Sequence, residues 1–219
     1  MFKKFKKLVK NAVNAESLDP SRFNDSLALE IEWSPAKAGG TNFRTHKLVK
    51  KGYNILKFKP TIGAKLFSAV FALSGIGIAI FAVIGSLSEG GSVTGSEFLF
   101  LLAFGLVFTA VGSFIYYKYS KPIVFDKLTG NYWKGFKEPD HNTVISTDKN
   151  SCRLNDIHAI QILSEYVRGD KNSYYSYELN LVLTDGTRLN VVDHGNKISI
   201  IQDAETLSAY LGKPVWNAI

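Results

Sequence analysis

The chain has 219 residues, 46% of them apolar, with 26 Lys/Arg against 19 Asp/Glu and a single cysteine. That length and composition exclude a disordered tail and a disulfide-stapled miniature, and Cys152 alone can build neither an internal disulfide nor a cysteine metal cluster. The net charge of +7 is concentrated: residues 1–65 carry 14 basic and 5 acidic side chains, residues 66–117 carry none and 2, and residues 118–219 carry 12 and 12, so the largest globular part is neutral and nucleic acid is not an expected partner.

Residues 1–20 open with MFKKFKKLVKNAV, in which Phe2, Phe5, Val9 and Val13 recur every three to four positions. Lys3, Lys4, Lys6, Lys7 and Lys10 fill much of the remaining turn, the pattern of an interfacial helix whose lysines meet anionic lipid headgroups. A solvated basic tail is the plainer alternative. Residues 21–63 change character. Leu27, Leu29, Ile31 and Trp33 alternate with Ala28, Glu30 and Glu32, the period of a half-buried strand. Ser34-Pro35 and Gly39-Gly40 interrupt it, and residues 43–50 and 53–59 flank Lys51-Gly52 as a hairpin. Three strands fold poorly alone, so they are expected to dock on the C-terminal domain or extend its sheet.

Residues 64–118 hold two uncharged stretches, 66–87 and 98–117. A bilayer core about 30 Å thick needs roughly 20 apolar residues in a helix, so both are long enough to span. They are apolar on every side, unlike the amphipathic helices of a soluble core. The first begins far from the start of the chain, which argues against a cleaved signal peptide. Lys57, Lys59 and Lys65 precede the first stretch, Lys118 and Lys121 follow the second, and SEGGSVTGSE between them has no Lys or Arg, so the positive-inside rule puts both termini in the cytoplasm. Ser68 with Ala72, Gly75 with Ala79, and Gly105 with Thr109 and Ser113 offer small-residue faces for a self-packed hairpin or a homo-oligomer. Neither stretch contains an ionisable side chain, which argues against a pump or transporter.

Residues 119–219 read as strands closed by one helix. Residues 122–127 and 131–136 bracket Leu128-Thr129-Gly130; residues 157–167 form a long strand; residues 174–184 pair with 187–193 across Asp185-Gly186, read as a type I′ turn. Ser199 and Gln202 form a capping box, Ala204, Leu207 and Leu211 a helical stripe, and Gly212 with Pro214 a stop. A two-helix hairpin before such a unit, together with PIVFDKLTGNYWKGF and DAETLSAYLGKPVW, resembles bacterial two-span membrane proteins with a cytoplasmic pleckstrin-homology-like (PH-like) domain, over residues 53–219. The resemblance implies an α+β membrane protein of the bacterial inner membrane: a transmembrane hairpin plus an antiparallel β-rich, PH-like domain that acts as a binding or scaffold module.

Chemistry has little to stand on. His46, His141, His158 and His194 lack metal-ligand spacing, Cys152 and His158 have no reason to meet, and no nucleotide-binding or hydrolase motif occurs, so neither a cofactor nor an enzyme is expected. Asp193-His194-Gly195-Asn196 is the most suggestive tetrapeptide, although a strand-to-helix turn accounts for it better than an active site does. Tyr174, Tyr175 and Tyr177 are candidate partner contacts with Asp193 and His194, against ordinary cross-strand packing. The rival readings are an immunity or stress protein that captures a toxin and an unrecognised hydrolase built on Asp193 and His194.

Overall fold

A computed structural model describes residues 18–88, 91–139, 150–169 and 172–219, which form two units: residues 60–121, and the chain on both sides of them. The proposed basic helix at residues 1–17, with Lys3, Lys4, Lys6, Lys7 and Lys10, and also His141, lie outside the described residues.

In the first unit, the expected strand over Leu27–Trp33 is instead a short helix, α1 (Ser26–Glu30), followed by extended chain. The Asp25 carboxylate accepts from the Leu27 N–H at 3.0 Å and so starts the helix. The alternation was misleading because Leu29 is 61% exposed, while Leu27, Ala28 and Ile31, at helical spacing, pack with Ala159, Val182 and Trp216.

The strands β1 (His46–Lys51) and β2 (Ile55–Pro60) flank a turn at residues 52–54. Beyond residues 60–121 come β3 (Ile123–Asp126) and β4 (Asn131–Lys134), then β5 (Ser151–Arg153). These make a five-stranded sheet in the order β1-β2-β3-β4-β5. The segment before the helices thus extends the sheet after them: β2 and β3 are antiparallel, with Phe58 opposite Ile123.

A second sheet contains β6 (Ile157–Val167), β7 (Tyr174–Leu183) and β8 (Arg188–His194). The β7–β8 connection is a three-residue loop rather than a type I′ turn. The Gly186 N–H donates to Leu183 O at 3.0 Å and the Leu183 N–H to Thr187 O at 2.8 Å, and Gly186 has φ +80°, whereas type I′ also needs a positive φ at the preceding residue. Between β2 and β3 the chain passes through two long helices.

Those are α2 (Ile62–Leu87) and α3 (Gly95–Ser120), 26 residues each; α2 starts before its uncharged stretch and ends with it at Leu87, and α3 extends past its stretch at both ends. They pack along their small residues. A Cβ on Gly105 would lie 2.7 Å from Gly75 O, and one on Gly112 would lie 2.9 Å from Ser68 O. Gly112, not the exposed Ser113, completes the α3 face, since the helix phase after Gly105 and Thr109 turns Gly112 inward.

The last helix, α4 (Lys197–Leu211), is capped by Asn196, whose side chain accepts from the Ser199 N–H at 2.8 Å; Ser199 is inside the helix and nearly buried. Asn196 takes the cap because it stands one turn earlier, where the backbone is still extended. Gly212, at φ +69°, ends α4 as a left-handed cap. The chain then adds a strand that the sequence reading missed, β9 (Val215–Asn217), parallel to β6, so the second sheet is mixed rather than wholly antiparallel, in the order β8-β7-β6-β9. Apolar side chains from both sheets, among them Phe58, Phe125, Tyr132, Ile160 and Leu181, share one core with Ile200 and Leu207 of α4. The Lys134 ammonium bridges to the edge strand β8, donating to Val191 O at 2.8 Å and Asn190 O at 3.1 Å.

Candidate functional site

Alternation along β7 gives the second sheet two different faces. Leu179, Leu181 and Leu183 point into the core, while Ser176, Glu178, Asn180 and Val182 form the outer row. Such a row reads from sequence as solvated. It is buried, because residues 31–45 cross it as a bent strap without helix or strand: Glu178 is 3% exposed and Asn180 0%.

The strap is held through its main chain. Arg188 donates from Nη1 to Ser34 O at 2.7 Å, and Gln161 from Nε2 to Glu32 O at 3.2 Å. The two Glu178 oxygens accept the Ala36 and Lys37 N–H groups at 2.8 and 3.1 Å. Glu165 accepts the Gly39 N–H at 3.0 Å and the Gly40 N–H at 3.4 Å, and the Tyr174 hydroxyl donates to Gly40 O at 2.9 Å. Carboxylates on paired backbone N–H groups are charge-assisted acceptors, stronger than neutral ones.

At its ends the strap is anchored by side chains. Trp33 stacks on Phe23 with centroids 5.0 Å apart beside Trp216, and its indole N–H donates to Ala28 O at 2.8 Å. Arg44 donates from Nη2 to both oxygens of Asp203 on α4, at 3.0 Å each, and Thr45 donates to Asp193 O at 3.0 Å.

Burial pushes the Glu178 carboxyl above its ordinary range, and the Asp193 carboxylate adds to the effect; Asn180 and the strap N–H groups oppose both. Burial likewise pulls the Arg188 guanidinium below its usual value, against Glu178 and Glu32. Near α1, Asp25 accepts from His158 at 2.7 Å; burial raises its carboxyl, but the His158 and Leu27 contacts outweigh it and leave the group below the ordinary value.

The residues singled out from sequence separate here. Tyr174 and Asp193 both meet the strap: the Asp193 carboxylate accepts from Asn190 at 2.8 Å and lies 3.8 Å from the Lys37 ammonium. Tyr177 packs on the core from the opposite face, and Tyr175, 56% exposed, packs on Tyr166 with ring centroids 5.1 Å apart. His194 is fully buried on the inner side of β8, its Nε2 3.9 Å from Asp203 Oδ2, so it and Asp193 point away from each other. Cys152 is buried, its thiol pushed up to about 12 by desolvation and by Asp156. Among the described residues no cluster of three or more His, Cys, Asp and Glu is arranged to hold a metal ion.

Sequence reasoning missed Glu165, Glu178, Asn180, Arg188 and the Arg44–Asp203 pair. Polar residues alternating along a strand carry no local mark of being covered by a segment some 140 residues away. No family model, curated protein or solved structure matches the chain. Chemically, the outer face of β6–β8 presents side-chain donors and acceptors to the main chain of residues 32–40.

Proposed function

We propose that this chain is a two-span membrane protein whose non-catalytic, PH-like unit is held at the cytoplasmic face of a bacterial inner membrane and binds a protein partner there. The observation that carries this reading is the pairing of Phe58 with Ile123. Chain entering α2 and chain leaving α3 are neighbours in one sheet, so a path through the bilayer must go out and return.

Length and surface support the spans. Each helix is about 39 Å long at 1.5 Å per residue, enough for a bilayer with some tilt. Leu66, Val70, Leu73, Leu99, Phe100 and Leu106 are exposed along them, a continuous apolar surface that water does not favour. Hydroxyl groups at the helix contact are satisfied within their own helices: Ser68 donates to Lys65 O at 2.9 Å and Thr109 to Gly105 O at 2.8 Å.

Orientation is supported by the paired end, which carries Lys57, Lys59, Lys65, Lys118 and Lys121, against a connection without Lys or Arg. Lys118 and Lys121 lie 5.5 and 5.2 Å from the Phe114 and Tyr117 ring centroids, an aromatic and cationic belt suited to the headgroup level.

The test is cysteine accessibility in intact cells. Ser92→Cys should react with a membrane-impermeant maleimide, and Lys213→Cys should react only after the membrane is opened. Labelling of Lys213→Cys in sealed cells, or recovery of the protein from the soluble fraction, would overturn the reading.

A further inference from the structure

We propose that the outer face of β6, β7 and β8 is a binding groove for a bent, glycine-containing peptide segment, and that residues 32–43 are its resident, displaceable occupant. The proposal rests on reading the globular unit as a binding module and names the site and ligand class.

Three features separate this strap from an ordinary surface loop. Its central grip is on main-chain groups, supplied by Gln161, Glu165, Tyr174, Glu178 and Arg188, so another chain that follows the same bent path satisfies it. Beyond Trp33, none of residues 34–44 is itself buried, so that stretch contributes little apolar burial to its own docking. The floor is also incompletely satisfied: Ser176 Oγ and Asn180 Oδ1 are buried without a hydrogen-bond partner, on residues 2% and 0% exposed. A ligand with one further donor on that side is better matched to the groove than the strap is.

The seats of Gly39 and Gly40 set a selection rule. Gly39 has φ +82°, a left-handed conformation that favours glycine, and a Cβ on Gly40 would overlap the Ser176 hydroxyl, so both residues of the second N–H pair are restricted to glycine while Ser176 is present. Asp193 lies next to Glu178 across the strands and faces the Lys37 ammonium at 3.8 Å, so the groove also favours a cation two residues before that pair. The ligand is therefore a segment that can bend in the same way, with a basic residue followed two and three positions later by glycines, like Lys37, Gly39 and Gly40 here.

The test uses the full-length protein in detergent micelles and a fluorescent, end-blocked peptide of residues 31–45. Gly40→Ala loosens the strap from within, and Arg44→Gln releases its end from Asp203. Amide hydrogen exchange at residues 36–40 reports opening. Both variants should exchange faster there and bind the peptide at least tenfold more tightly than the parent. Adding Glu165→Ala should remove that gain, and a peptide with alanine in place of the glycine at position 40 should not bind. Faster exchange without tighter binding overturns the proposal; so does unchanged exchange in both variants, or global unfolding of both, because the strap would then be integral to the fold. None of these outcomes bears on membrane topology, which cysteine labelling reads separately.

Discussion

Gly75 and Gly105 face each other across the helical hairpin so closely that a Cβ on Gly105 would lie 2.7 Å from the Gly75 carbonyl oxygen. At that separation the helices gain dispersion contacts along their whole length, which is what holds helices together where the surroundings are as apolar as the side chains.

Gly105→Val should therefore force the helices apart and lower stability in detergent by about 1–3 kcal/mol, the usual range for overpacking. Gly77 provides the control, since nothing lies within 4 Å of a Cβ placed there. Gly77→Val should leave the thermal unfolding midpoint close to the parent's, and equal losses in both variants would refute the contact.

Glu178 and Asp25 should push the pH dependence in opposite directions. The Glu178 carboxyl is raised in the folded unit, so its contribution to stability is fully present below the ordinary value of 4.5 and is lost as pH rises through the folded value. Asp25 is lowered, so its contribution is present above 3.8 and is lost as pH falls through the folded value. Urea midpoints between pH 4.5 and 7 should fall with rising pH more steeply in the parent than in Glu178→Gln. Identical slopes would show that the buried carboxyl does not titrate as described.

Cys152 should be silent in the native protein. With its thiol at about 12 rather than 9, the thiolate fraction at pH 8 falls about a thousandfold before burial is counted. Iodoacetamide should modify it only after unfolding in guanidinium. Rapid native labelling would contradict the packing of Cys152 opposite Tyr132.

The cap of α4 can be assigned by a pair of substitutions. Asn196→Ala should cost about 1 kcal/mol, the typical value of a side-chain N-cap. Ser199→Ala, which removes no cap, should cost less, as measured by chemical unfolding. The reverse order would restore the capping box at Ser199 and Gln202.

Elements whose causes are local were legible in the residues themselves. Two uncharged stretches implied the long helices, Leu128-Thr129-Gly130 and Asp185-Gly186 located two hairpin connections, and the alternation from Tyr177 to Leu183 marked β7. Errors arose where two local readings competed. Leu27 to Trp33 satisfies a period of two, but Leu27, Ala28 and Ile31 also satisfy a helix, and the Asp25 cap and the Trp216 surface decided between them.

Amino-acid order alone determined the apolar lengths, the charge imbalance across the hairpin and most strand positions, because each depends on neighbours within a dozen residues. Only the tertiary structure decided that Phe58 sits opposite Ile123, that β9 joins β6 in parallel, and that Glu165 and Glu178 face backbone N–H groups instead of water. Those outcomes turn on which distant segment covers which face, and a polar residue on a strand has the same local signature whether solvent or another stretch of chain satisfies it.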